Sequence, residues 1–170
     1  TTTQAELAYW PQLAERAPLL AVAIPFLGHF QTRSRGTVCG SLAHADPSSE
    51  LPLCLATLGG QIILRGSRGE RVLSADQFQL GMLMTAREPD EFISAARFPL
   101  GQPGAGYAFH EMARKRGDFA IVAVAAVVTE TEIRLGVGGV ADRPVVRQWE
   151  SLAGDELGDA LNVFAWDLGG

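Results

Sequence analysis

The apolar residues of this 170-residue chain come in short segments, and this pattern most restricts its possible folds. The longest segment, FAIVAVAAVV at residues 119–128, falls well short of the roughly 18–20 apolar residues that span a bilayer. The 19 glycines and 9 prolines separate the apolar segments from one another. The sequence therefore predicts many short helices and strands around a core, and no membrane span.

Charge and cysteine usage narrow the functional classes. The chain is 47% hydrophobic and 19% charged, which is typical of a compact globular protein, and its net charge is −5. An acidic chain of this kind is not expected to bind nucleic acid. Cys39 and Cys54 stand alone, without the spacing of a zinc or iron–sulfur site. We therefore expect no metal site, and reduced thiols in a cytoplasmic protein.

The local patterns indicate an α+β fold with largely antiparallel strands. Thr3 and Glu6 form a capping box that predicts a helix from Gln4. The apolar segment at 17–30 predicts a buried helix that kinks or ends near Pro25. Further helices are expected at 50–59 and 154–166, and at the start of 117–129. Strands are expected at 61–66, 71–75, 91–99, 107–114, the later part of 117–129, and 132–140.

Familiar catalytic motifs are not found in the sequence. The histidines His29, His44 and His110 are scattered, and no serine lies in a G-x-S-x-G motif. The glycines at 136–144 match neither a Walker A loop nor a G-x-G-x-x-G motif. No side chain is therefore assigned a catalytic role.

Residues 33–52, RSRGTVCGSLAHADPSSELP, are expected to form a long loop whose backbone can contact a ligand. Glycines at Gly36 and Gly40 let a backbone approach a ligand and present its N–H groups. Thr37 and Ser41 add hydroxyls, and Glu50 is an acceptor for sugar hydroxyls. On these residues alone, a tight turn before a capped helix explains the pattern better than a ligand site does.

Residues 36–52 also resemble the TIGGS-type signature of the FAD-binding medium subunit of the molybdenum hydroxylases. That family includes the carbon monoxide dehydrogenase flavoprotein and the flavin domain of xanthine dehydrogenase. The segments ELAYWPQLAERAPLLAVAIPFLGHFQTRSRGTVCGS, LRGSRGERVLSADQF, GYAFHEMARKRGDFAIVAVAAVV and LGVGGVADRPV are similar to the same family, in the same order.

The resemblance implies a fold, a cofactor and partners. Residues 1–100 would form the second lobe of a two-lobed FAD-binding domain, and residues 101–170 a small α+β C-terminal domain. The lobe boundary coincides with the glycine-rich segment at 100–106. FAD would pass electrons from [2Fe–2S] clusters on a small subunit to an acceptor, while a large subunit carries molybdopterin. The expected assembly is a hetero-oligomer and an oxidoreductase.

The resemblance also implies positions for the cofactor. The backbone N–H groups and hydroxyls of residues 37–41 would face the phosphate and ribityl parts of the flavin, and Glu50 would accept a hydrogen bond from it. Leu27 and Ile93 would be apolar contacts, and His110 a polar neighbour. Asp118 and Phe119 would lie against the ring, although Phe119 is equally well explained as a core residue. The full expected set is Leu27, Thr37, Val38, Cys39, Gly40, Ser41, Glu50, Ile93, His110, Asp118 and Phe119.

Two departures from the family pattern leave alternatives open. Cys39 replaces a glycine of the signature, where a side chain is expected to crowd the cofactor. The family's second glycine-rich motif, of AGGxS type, and its closing segment are not found, so this chain alone is expected to bind FAD poorly. One alternative is a flavin-free relative whose cleft binds another small molecule, for cyclisation or isomerisation. Another is a structural docking module.

Overall fold

The computed structural model describes residues 2–169 and shows an α+β protein. The helices are short, and their ends coincide with prolines and left-handed residues. Pro18 begins α3, and Gly59 ends α6 at a φ of 67°. The helices are α1 Gln4–Ala8, α2 Leu13–Arg16, α3 Pro18–Ala23, α4 Phe30–Arg35, α5 Val38–His44, α6 Glu50–Leu58, α7 Ala75–Phe78 and α8 Gly154–Asp167.

The strands form antiparallel sheets in the orders β2-β1-β5, β3-β4 and β6-β7-β8-β9. The sequence-based expectation of an antiparallel α+β fold is therefore confirmed. The strands are β1 Gln61–Gly66, β2 Gly69–Ser74, β3 Gln79–Gly81, β4 Met84–Thr85, β5 Phe92–Arg97, β6 Gly106–Ala113, β7 Ala120–Val128, β8 Glu132–Gly138 and β9 Val145–Glu150.

The core is built around α6, which packs against α3, α5 and the sheet β6–β9. Leu51, Leu53 and Leu55 are fully buried on this helix. Gly136 of β8 faces Thr57 so closely that a methyl group there would overlap the Thr57 hydroxyl. One cluster of buried side chains joins residues from both sides of position 100. The division into lobes at residues 1–100 and 101–170 remains a prediction, and the two parts share a core.

The structure corrects several local expectations. Residues 33–52 are mostly helical rather than a long loop, because Thr37 caps α5 and Glu50 begins α6. Residues 117–119 form a turn and not the start of a helix; the strand begins at Ala120. By contrast, the buried helix expected to kink or end near Pro25 is confirmed, since α3 ends at Ala23. The elements α7, β3, β4 and β9 were not predicted.

The capping box that opens α1 is confirmed, with Glu6 N–H donating to Thr3 Oγ1 at 3.1 Å and Thr3 N–H donating to the Glu6 carboxylate at 2.7 Å. Both cysteines are free thiols, with Cys54 buried in the core. Among residues 2–169, no helix combines the length and the apolar character that crossing a membrane requires.

Candidate functional site

A cavity of about 670 Å³ lies between α5 and the turn that joins β6 to β7. Its volume falls within the range of about 300–1,000 Å³ that is typical of small-molecule sites. The first residue of α6 and the segment before α4 complete its walls. The residues that line it are Gln4, Leu27, Gly28, His29, Thr32, Gly40, Ser41, His44, Ser49, Glu50, Arg114, Gly117, Asp118, Phe119 and Ile121.

The first wall is the beginning of α5, where Gly40 and Ser41 face the cavity. Thr37 is the N-cap of the helix, and its Oγ1 accepts a hydrogen bond from the Gly40 N–H at 2.9 Å. The Ser41 N–H donates to the Thr37 carbonyl at 3.1 Å, and the Val38 N–H donates to the Thr2 carbonyl at 3.0 Å. These three N–H groups are thus engaged by the protein itself, and the expectation that they face a ligand is wrong.

Helix α5 contributes the exposed backbone of Gly40 and the hydroxyl of Ser41 to the cavity. A Cβ atom at Gly40 would lie 2.6 Å from Thr37 Oγ1, so a side chain there would displace the helix cap. Gly40 is exposed, and the Ser41 hydroxyl lies beside it. A flat or sugar-like ligand can therefore come directly against the helix at this point.

Thr37, Val38 and Cys39 do not line the cavity. The Val38 side chain is buried in the core, and Thr37 acts as the helix cap. Cys39 lies next to the Ala96 backbone of β5, and burial raises the pKa of its thiol. The Cys39 side chain therefore points toward a strand, which removes the expected crowding of a ligand.

The second wall is the turn between β6 and β7, which carries Asp118 and Phe119. Gly117 has a φ of 86°, and a Cβ atom there would lie 2.7 Å from the His29 ring. This close approach brings the turn against the residue that precedes α4. Phe119 is 69% exposed, so it is a surface aromatic ring at the cavity and not a core residue.

Glu50 lies at the base of the cavity and is only 8% exposed. Burial raises the pKa of its carboxyl to about 7, and its own N–H partly opposes this effect. The carboxyls of Glu111 and Asp46 raise the pKa further by charge repulsion. Glu50 thus holds a proton through part of the neutral pH range and can both donate and accept hydrogen bonds.

Gln4 adds a second buried polar group to the cavity. It is 7% exposed, and its Oε1 has no hydrogen-bond partner among the described residues. Buried polar groups are normally paired. Gln4 and Glu50 therefore fit a ligand that carries hydroxyl or amide groups.

Two of the expected site residues lie away from this cavity. Ile93 is on β5, opposite Leu64, and packs against the core. His110 is an exposed residue of β6, opposite Val124. Neither lines the cavity, whereas Leu27, Gly40, Ser41, Glu50, Asp118 and Phe119 do.

Other lining residues were not expected. Gly117 follows a basic run, and a glycine in such a turn is the one local signal for it. Gln4 and Thr32 carry no local signal, because tertiary packing alone brings α1 and α4 to the cavity.

Comparisons with known proteins place the chain in a family. Residues 1–101 match the family described as "FAD binding domain in molybdopterin dehydrogenase". The medium subunit of nicotine 6-hydroxylase from Paenarthrobacter nicotinovorans is 36% identical over 83% of this chain and 51% of that protein. The carbon monoxide dehydrogenase medium chain of Afipia carboxidovorans is 34% identical over 98% of this chain and 59% of that protein.

Solved structures agree with this placement. Reconstituted CO dehydrogenase from Oligotropha carboxidovorans matches with a TM-score of 0.82 and 33% identity, over 85% of this chain and 52% of that chain. Quinoline 2-oxidoreductase from Pseudomonas putida 86 matches with a TM-score of 0.79 and 33% identity, over the same shares of the two chains. The chain thus spans about half the length of the relatives it matches. On these matches, the chain belongs to the family of FAD-binding domains of the molybdopterin dehydrogenases.

Proposed function

We propose that the chain is the FAD-binding part of the medium subunit of a molybdenum-containing hydroxylase or dehydrogenase, and that the cavity beside α5 holds the flavin. One observation carries this proposal. The α5 residues that correspond to the family signature, Gly40 and Ser41, line the same cavity as Phe119 on the β6–β7 turn. The signature segment and an exposed phenylalanine thus line one space of ligand size.

The chemistry of the lining fits a flavin. Leu27, Phe119 and Ile121 supply an apolar surface for a flat ring system. Ser41 and Glu50 supply a hydroxyl and a carboxyl for the hydroxyls of a ribityl chain. FAD, when bound, supplies the electron transfer, and these residues position it and set the polarity around it. Ile93 and His110 stay outside this proposal because of their position.

Asp118 adds a negative charge and Arg114 a positive charge at the mouth of the cavity. Both are exposed, so their charges are solvated and act mainly on the approach of a ligand. Phe119, beside Asp118 in the turn, is then the side chain with the largest apolar surface available to the ring.

The partners of the assembly form the wider part of the proposal. Substrate would react at molybdopterin on a large subunit, and electrons would pass through [2Fe–2S] clusters of a small subunit to the flavin here, in the cytoplasm. The relatives are described as medium chains or medium subunits, which supports a multi-subunit assembly. A tagged copy of the chain expressed in its native host should therefore copurify with molybdenum and iron. Purification without either metal would contradict the proposed partners.

Phe119→Ala tests the cavity directly, because an exposed side chain can be removed without opening the core. Loss of stacking on a flat ring costs about 1–3 kcal/mol, so we expect FAD to bind about tenfold more weakly. The matched control is Phe92→Ala, which removes a 58% exposed phenylalanine on β5 outside the cavity. Titration by flavin fluorescence and by ligand-observed NMR measures both tight and weak binding.

Two results would contradict the proposed function. One is the absence of saturable FAD binding by the wild-type chain up to millimolar concentration. The other is equal weakening of FAD binding by Phe119→Ala and Phe92→Ala, which would place the flavin elsewhere.

A further inference from the structure

A smaller cleft of about 220 Å³ is lined by residues of α1, by the segment after α3, by the start of α4, and by Arg116 of the β6–β7 turn. Its floor contains Ala8 and Ile24, and its rim contains Tyr9, Phe30, Arg33 and Arg116. None of the described residues lines both this cleft and the main cavity. We call these rim and floor residues the arginine–aromatic cleft.

Two aromatic rings stand open to solvent on the rim of this cleft. Tyr9, the C-cap residue of α1, is 75% exposed, and Phe30, the first residue of α4, is 61% exposed. Both rings line the cleft, and their exposure leaves apolar surface in water. Such rings are suited to stack on a planar ligand.

Two guanidinium groups stand beside these rings. Arg33 Nη1 donates to the carbonyls of Leu27 and Gly28, each at 2.8 Å, so this side chain is held in place by the backbone. Arg116 is exposed. Among residues 2–169, neither arginine forms an ion pair with a carboxylate. The nearest acid on α1, Glu6, is engaged in capping Thr3.

We propose that the arginine–aromatic cleft binds an anionic aromatic ligand of the nucleotide type. The planar base would lie against Tyr9 and Phe30, and the phosphate groups would be bound by Arg33 and Arg116. A cleft of about 220 Å³ has room for one ring system, and Arg33 and Arg116 are among the residues that line it. The net charge of −5 favours a small ligand here over a nucleic-acid chain. The proposal does not depend on flavin binding in the main cavity.

ADP, adenosine and pyrophosphate together test whether the aromatic rings bind the base and the arginines bind the phosphate groups. Isothermal titration of the 170-residue chain should show saturable binding of ADP. Adenosine, which lacks the charge, and pyrophosphate, which lacks the ring, should each bind at least about tenfold more weakly. No saturable binding of ADP would overturn the proposal, and so would pyrophosphate binding as tightly as ADP.

Matched variants test the position of the site. Arg116→Ala should weaken ADP binding about tenfold, whereas Arg68→Ala, at an exposed arginine of the β1–β2 turn, should leave it unchanged. Tyr9→Ala should weaken ADP binding by a similar factor, and Trp166→Ala, at a 73% exposed ring of α8, should not. Equal effects of a variant and its control would overturn the proposal.

The two cavities are distinguished by a reciprocal measurement. Phe119→Ala should leave the ADP affinity unchanged. Arg116→Ala should leave unchanged the affinity for riboflavin, which carries the flavin ring and ribityl chain but no ADP part. In NMR spectra of the chain, ADP should shift the amide signals of Tyr9 and Arg116 and not those of Gly40 and Ser41. Shifts centred on Gly40 and Ser41 would show that ADP occupies the main cavity, and would overturn a separate site.

Discussion

Replacement of Glu50 by glutamine should change how the stability of the protein depends on pH. The Glu50 carboxyl is 8% exposed, and burial with the nearby carboxyls of Glu111 and Asp46 raises its pKa from 4.5 to about 7. The folded protein therefore binds this proton more tightly than the unfolded chain does. Between pH 4.5 and 7, the contribution of Glu50 to the free energy of unfolding falls as pH rises, because the unfolded chain gives up this proton while the folded protein still holds it.

The size of this effect follows from the two pKa values. The difference between 4.5 and about 7 corresponds to about 3 kcal/mol of stability, present at low pH and lost above pH 7. Glutamine has nearly the same shape and does not titrate, so Glu50→Gln removes this loss. For a chain of this length, about 3 kcal/mol corresponds to a difference of about 6–12 °C in Tm.

Urea denaturation at several pH values from 5 to 8, followed by circular dichroism, measures the effect. The difference in unfolding free energy between Glu50→Gln and wild type should grow in favour of the variant by about 2–3 kcal/mol over this range. Glu130→Gln, at an exposed carboxyl of the β7–β8 turn, is the control and should run parallel to wild type. Parallel curves for Glu50→Gln and wild type would refute the reasoning.

Further predictions concern packing and caps. Gly136→Ala should cost about 1–3 kcal/mol, because the new methyl group overlaps the Thr57 hydroxyl, and Thr57→Ala in the same chain should recover part of that loss; a double variant no more stable than Gly136→Ala would contradict this. Thr37→Ala should cost about 1 kcal/mol in urea denaturation through loss of the α5 cap, and an unchanged midpoint would disprove that role. Phe164→Ala should cost about 3–5 kcal/mol, since its buried ring meets Trp149 edge-on, whereas Trp166→Ala on the same helix should cost little; similar melting temperatures for the two variants would contradict that packing.

Local signals in the sequence were enough to predict much of the fold. The capping box at Thr3 and Glu6 involves side chains three positions apart, so the local sequence is enough to predict the start of α1. The strands β1 and β2 pair across a short turn, in agreement with the strand-like segments expected at 61–66 and 71–75. The family resemblance added the cofactor, which no local pattern of this chain specifies.

The wrong predictions concern residues that fit two different structures when only their sequence neighbours are considered. Gly36 and Gly40 suggested a loop, yet the Thr37 hydroxyl satisfies the Gly40 N–H and makes the segment a helix. Phe119 begins an apolar run and was equally well explained as a core residue, but the turn at Gly117 leaves its ring at the surface.

The composition of the cavity depends on contacts that are distant in sequence. Ser41 and Phe119 are 78 positions apart in the chain (119 minus 41), and the packing of the sheet β6–β9 on α3 and α6 brings them to one cavity. No periodicity or spacing connects them. Buried Gln4 lines the same cavity because α1 packs on α4, and no local sequence pattern predicts that packing.

A crystal structure of the chain soaked with FAD tests the central claim most directly. The account predicts electron density for the flavin ring between Ser41 of α5 and Phe119 of the β6–β7 turn, with Glu50 beside the ribityl hydroxyls. Flavin density at another surface, with this cavity holding only solvent, would contradict it.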